Sequence, residues 1–170
     1  MLCGLPGAGK SAMAEALGRA LPAPVLSVDP VEAAMWRAGV GREQPTGLAA
    51  YVVVEVLAKE VLRLGQTVIV DAVNDALEAR QQWERLGAEP RYIEVICSDQ
   101  ALHRERLERR RRGIEGFDEP TWSQVEERRK NFEAWHGERF TVDSVNDLGE
   151  NVKLVLNHLR SSGPATTQYE

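Results

Sequence analysis

The residues best suited to chemistry begin at the start of the chain, in Gly4-Leu5-Pro6-Gly7-Ala8-Gly9-Lys10-Ser11. This octapeptide fits G-x-x-x-x-G-K-[ST] without a mismatch. Glycine at positions 4, 7 and 9 lets the backbone curl with no Cβ in the way. The N–H groups of Gly7, Ala8, Gly9, Lys10 and Ser11 can then face one anion. A helix opening at Ser11 adds its positive end. Lys10 is placed to reach the β- and γ-phosphates, and the Ser11 hydroxyl to ligate Mg²⁺. A Gly-rich turn with a stray lysine is the alternative, but a strand before and a helix after favour a phosphate loop. The spacing therefore predicts binding of a nucleoside triphosphate, with ATP and Mg²⁺ as the expected cofactors.

Two aspartates extend this chemistry. Val68-Ile69-Val70-Asp71 ends a β-rich run in a carboxylate, as expected of a second Mg²⁺ ligand. The next residue is Ala72, where a motor ATPase typically carries a water-activating Glu, and no N-K-x-D guanine-reading motif occurs. What remains is a small kinase, in which a bound hydroxyl attacks the γ-phosphate. Asp29, in VLSVDP, is the candidate base for that hydroxyl, with helix capping as the alternative. Trp36, on the helix after Asp29, is a candidate wall of the acceptor pocket or a core residue. Asn74, three residues past Asp71, is a helix cap or a contact to the acceptor.

His103 to Arg112 holds six of the chain's 17 arginines. Glu105–Arg109 and Glu108–Arg112 are i,i+4 pairs in the favourable order, which assigns those two arginines to a solvated helix face. Arg106 and Arg110 lie one turn apart and have no such upstream partner. They are the candidates to clamp phosphate from a lid over about 104–121, hinged at Gly113 and Gly116. A polynucleotide could use the same patch. The interleaved aromatics typical of single-strand binding are missing there, so nucleic acid is not favoured.

These residues need a scaffold, and strand alternates with helix along the chain. Strands are expected at 1–3, 24–28, 67–70, 91–97 and 140–142. Helices are expected at 11–21, from 30, at 48–64, from an Asn74 cap to 87, from an Asp99 cap, from a Thr121/Gln124 capping box to about 135, and at 146–160. That pattern is α/β with a parallel sheet whose ligands lie beyond the carboxyl ends of the strands. With 170 residues, 43% of them hydrophobic, the chain suits one domain over 1–160, followed by a disordered tail at 161–170. No apolar run is long enough to span a bilayer and the start is not a signal peptide, so the expectation is a cytoplasmic protein without a membrane partner. A net charge of −5 argues against a surface that grips nucleic acid throughout. Cys3 and Cys97 are read as buried reduced thiols, Trp83 and Trp135 as core, and His103, His136 and His158 as without chemistry.

Taken together, GLPGAGKS, the aspartate of VLSVDP, VIVDAVN, and CSDQALHRERLERR ahead of PTW resemble small P-loop kinases. These are the AAA-type ATP-binding proteins related to zeta toxin and chloramphenicol phosphotransferase. The resemblance runs from about Leu2 to Arg160. It implies a five-stranded parallel sheet of order 2-3-1-4-5, use of ATP–Mg²⁺, and transfer to a hydroxyl. It further implies that Asp29 matches the base and that Arg106 and Arg110 match lid arginines. The acceptor differs widely within that group, so the resemblance names no substrate.

Overall fold

A computed structural model describes residues 1–135 and 137–161. The strands are β1 (Leu2–Cys3), β2 (Val25–Ser27), β3 (Ile69–Asp71), β4 (Ile93–Ile96) and β5 (Phe140–Asp143). They form one sheet in the order β2-β3-β1-β4-β5, parallel throughout. In register, Leu2 faces Asp71 on one side and Ile93 on the other, which makes the short β1 the centre of the sheet.

The helices are α1 (Lys10–Ala20), α2 (Val28–Arg37), α3 (Thr46–Arg63), α4 (Leu77–Gln82), α5 (Gln100–Arg109), α6 (Trp122–Lys130) and α7 (Leu148–Ser161), with a 3₁₀ turn at Trp83–Leu86. Successive β3 residues point to opposite faces, as a strand's period of two requires. Ile69 joins Met13, Leu17 and Val155 under α1 and α7, while Val70 joins Val54, Ala58 and Trp83 under α3. Both faces are therefore covered, which fits the continuous β-rich run at 67–70. Among the described residues no helix is long and apolar enough to cross a membrane.

The helix signals read from sequence fare unevenly. Asp99 caps α5, its carboxylate accepting from Leu102 N at 3.0 Å, and Thr121 with Gln124 forms the full capping box of α6. The helix after β3 opens at Ala76 instead of Asn74 and is short, closing through the 3₁₀ turn onto Gly87 at φ +72°. The α6 helix stops at Lys130, short of Trp135. Trp83 is core, whereas Trp135 is half-buried, edge-on to Tyr92. Cys3 is buried and Cys97 only partly so, and both are free. His136 and the tail at 162–170 lie outside the described residues.

Candidate functional site

The loop between β1 and α1 lies at the carboxyl edge of the central strand. Gly4 enters it at φ +128°, with its N–H donating to Val73 O at 3.1 Å. A Cβ there would sit 2.3 Å from the Val95 carbonyl oxygen, so the loop can pass between its neighbours only as glycine. Gly7 and Gly9 also hold positive φ, and Gly9 caps α1. The Ala8 N–H donates to Leu5 O at 3.2 Å and its side chain is buried. Ala8 therefore closes the turn, while Gly7, Gly9, Lys10, Ser11 and Ala12 line a cavity of about 260 Å³.

Arg106, Arg110 and Arg112 line the same cavity. Lys10 is buried, and its Nζ donates to Leu5 O at 3.2 Å. Burial pushes the Lys10 ammonium below its ordinary pKa, and the Asp71 carboxylate opposes the shift. Four cations at a glycine-rich loop and a helix N-terminus suit a polyphosphate in charge and geometry.

Parallel pairing of β1 with β3 sets Asp71 beside the loop. The Ser11 hydroxyl donates to Asp71 Oδ2 at 2.7 Å, and Ser27 Oγ stands 3.4 Å from the same oxygen. A hydroxyl and a carboxylate are hard oxygen donors at one point. They fit Mg²⁺, which takes one or two protein oxygens and completes its shell with phosphate and water.

Asp29 reaches this place from the other side of β3. It lies in the first turn of α2, where Ser27 holds the cap position, so Asp29 is neither a strand end nor a cap. Its Oδ2 accepts from Arg112 Nη1 at 2.5 Å and lies 3.9 Å from Arg110 Nη2. Glu119 holds both arginines, Arg112 Nε at 3.0 Å and Arg110 Nε at 3.0 Å, although the latter contact is out of line for a hydrogen bond. Burial lowers the Arg110 pKa, with the neighbouring Arg112 charge adding to the effect. Lys10, Ser11, Asp29, Asp71, Arg110 and Arg112 thus line one narrow cleft.

Arg112 is the residue that the sequence reading gave to a surface pair. The α5 helix ends at Arg109, and Arg110 turns away at ψ 131°, so the i,i+4 relation of Glu108 to Arg112 is never formed. Glu108 pairs with Arg104 at 2.7 Å instead, while Glu105–Arg109 forms as expected. Arg106 is fixed by Ser144, donating to its Oγ at 2.9 Å and to its carbonyl at 3.1 Å.

Two further expectations are corrected. Asn74 is fully buried, its Nδ2 donating to Leu2 O and its Oδ1 accepting from Trp83 Nε1, so it ties β1 to the 3₁₀ turn and faces no acceptor. Trp36 stacks on Phe117 at 5.7 Å, and Phe117 is the aromatic that lines the larger cavity beyond Asp29. Trp36 therefore backs the wall without forming it. His103, given no role from sequence, is buried. Its Nε2 lies 2.8 Å from Pro6 O, its Nδ1 lies 3.1 Å from Arg129, and Trp122 stands edge-on to the ring. The histidine fastens α5 and α6 to the phosphate loop. An isolated His beside a run of arginines gave no sign of this.

The family model described as an AAA domain (AAA_33) matches residues 1–135. The chain belongs to this AAA-domain family. No curated protein matches it in sequence. Among solved structures it is similar to the Mycobacterium tuberculosis APS kinase CysC in complex with AMPPNP and APS. That pair shares 19% identity over 94% of this chain and 95% of the other, with a TM-score of 0.67. A gluconokinase from Sinorhizobium meliloti 1021 shares 20% identity over 95% and 90%, at 0.68. Chaetomium thermophilum Kti12 in complex with ADP-AlF3 shares 19% over 94% and 96%, at 0.69. The five-stranded parallel sheet is thus that of the P-loop kinases.

Proposed function

We propose that the chain is a kinase that transfers the γ-phosphate of Mg-ATP to a hydroxyl group of a small molecule. The observation that carries this reading is the convergence of Asp29 with Lys10, Ser11 and Asp71 under Arg110 and Arg112. A carboxylate set across from phosphate machinery has a use when a hydroxyl is the nucleophile. The acceptor oxygen forms a bond to the γ-phosphorus while the bond from that phosphorus to the β–γ bridging oxygen breaks. The hydroxyl proton passes to Asp29, and ADP leaves.

Lys10 and the loop amides hold the β- and γ-phosphates. Ser11 and Asp71 would hold Mg²⁺, which when bound supplies charge neutralisation on the same oxygens. Arg110 and Arg112, with Arg106 at the cavity's edge, close over the transferring group as the segment 110–121 acts as a lid. The motif likeness to zeta toxin and chloramphenicol phosphotransferase supports a hydroxyl acceptor, as do the kinases among the similar folds.

The test is ADP release from Mg-ATP, alone and with pooled sugars, nucleosides, antibiotics and 5′-hydroxyl oligonucleotides, for wild type and Asp29→Asn. One pool is expected to stimulate turnover, and Asp29→Asn to abolish the gain. Stimulation that survives Asp29→Asn removes the base role. Nucleotide binding with no stimulation by any pool turns the reading toward a non-catalytic ATP-binding switch. A polynucleotide kinase would show oligonucleotide affinity falling steeply with salt, and the carboxylates around Asp29 speak against it.

A further inference from the structure

Beyond Asp29 the cleft widens into a cavity of about 500 Å³ that begins at Pro6 of the phosphate loop and runs out along α6. That volume suits a drug-sized molecule. If the kinase reading holds, this is where the acceptor lies, and the inference rests on that reading. The wall carries six carboxylates, Asp29, Glu32, Asp75, Asp118, Glu119 and Glu127, against two guanidiniums, Arg110 and Arg128.

Neither guanidinium is available to an acceptor. Arg128 is 3.1 Å from Asp75. Arg110 also lines the phosphate cavity, together with Arg112. Once those two arginines engage phosphate, Asp29 and Glu119 lose the cations that now hold them. Among the described residues no cation pairs with Glu32, which is half-buried and accepts from the Thr46 hydroxyl at 2.8 Å, or with Glu127, which is exposed. Asp118 is mostly exposed and bonded to Arg42, so it adds little. Phe117, backed by Trp36, gives one apolar side.

A carboxylate or phosphate on the acceptor would meet like charge with no free counterion. An amine would meet carboxylate acceptors for charge-assisted hydrogen bonds. We infer that the acceptor is cationic: a hydroxyl-bearing amine whose ammonium is received among Glu32, Glu119 and Glu127 while its hydroxyl is presented to Asp29.

The experiment measures equilibrium binding to the full chain in saturating Mg-AMPPNP. The probes are kanamycin and glucosamine, their N-acetylated counterparts, and gluconate. At least one amine probe is expected to bind about 10-fold or more tighter than its acetylated counterpart, with gluconate weakest. A Glu32→Gln/Glu127→Gln double variant is expected to lose most of that preference. Its AMPPNP affinity, measured separately, reports whether its nucleotide site is folded. Glutamine keeps the bond from Thr46, so the change is one of charge. Acetylated probes or gluconate binding as tightly as the amines, or no amine binding, overturns the proposal. So does a preference unchanged in the double variant.

Transfer of labelled phosphate from ATP is scored in parallel. Charge preference without transfer to any hydroxyl-bearing amine upholds the cation-binding site and sinks the kinase. Transfer to neutral sugars without charge preference does the reverse.

Discussion

At Gly4 two demands coincide, a backbone at φ +128° and a Cβ position 2.3 Å from a carbonyl oxygen. Gly4→Ala is expected to cost about 3 kcal/mol, which for a chain of this size lowers Tm by about 9 °C. Thermal unfolding followed by circular dichroism checks it, and an unchanged Tm would show that the loop relaxes freely. Lys10→Ala removes the buried ammonium from the phosphates and should lower turnover by about 10²-fold or more, read as kcat for ADP release. The arginines are separable. Arg112 bonds Asp29 while lining the phosphate cavity, so Arg112→Ala should lower kcat by about 10²-fold or more. Arg106 is anchored to Ser144, and Arg106→Ala should cost about 10-fold or less. The reverse order would return the role to Arg106. The phosphate motif, Asp71 and Asp29 could be picked out because their types and spacing are those phosphate transfer would use, and the structure brings them to one cleft. Arg112 could not, because the charge-pair reading assumed helix through residue 112. Gly113, just beyond, was the one local signal that the helix would stop early.

At the scale of elements, the segment joining α5 to α6 is flanked by two local anchors. Its carboxyl end is the Thr121 capping box, and Thr121→Ala should destabilise the protein by about 1 kcal/mol, measured by urea unfolding. On its amino side, α5 is tied to the phosphate loop and α6 by His103. Burial is the main cause holding the His103 pKa below 6.5, and the bond to the Pro6 carbonyl opposes it. In the neutral ring, Nε2–H donates to Pro6 O while Nδ1 accepts from Arg129. As pH falls, the unfolded chain takes up this proton before the folded one does. The histidine's contribution is therefore full above about pH 6.5 and is lost as pH drops toward the folded value, with a slope approaching about 1.4 kcal/mol per pH unit. Glutamine can still donate to Pro6 O but does not titrate. The difference in stability between wild type and His103→Gln should therefore shrink on acidification below pH 6.5, and a pH-independent difference would mean that the ring is not held neutral. The caps at Asp99 and Thr121 were readable because a cap is a local arrangement within four residues. Asn74 misled because its partners, Leu2 and Trp83, are supplied by the tertiary fold.

For the molecule as a whole, sheet order does the assembling. Placing β1 beside β3 sets Ser11 against Asp71, and placing β2 on the far side of β3 brings Asp29 to the same edge. The arginines arrive from beyond β4, on a chain segment that must cross the carboxyl edge of the sheet. That crossing is fastened by polar contacts: Arg37 to Glu115 O, Arg42 to Gly116 O and Asp118, and Arg112 to Asp29. Most of these are exposed, and Gly113 at φ +65° has nothing within 4 Å of its missing side chain. A segment so held belongs to the low-stability end of the molecule and should open far more often than the sheet beneath it. Trypsin cuts after arginine, and residues 109–112 offer four in succession where α5 has ended. Limited proteolysis should therefore cleave first there. If Arg110 and Arg112 exchange their carboxylates for nucleotide phosphates, saturating Mg-AMPPNP at 100 times its Kd should slow that cut by up to about 100-fold while leaving cuts in α3 little changed. Cleavage at 109–112 that ignores AMPPNP, in protein shown by calorimetry to have bound it, would mean that the arginine segment does not close on the nucleotide. The site would then consist of the phosphate loop, Asp71 and Asp29 alone.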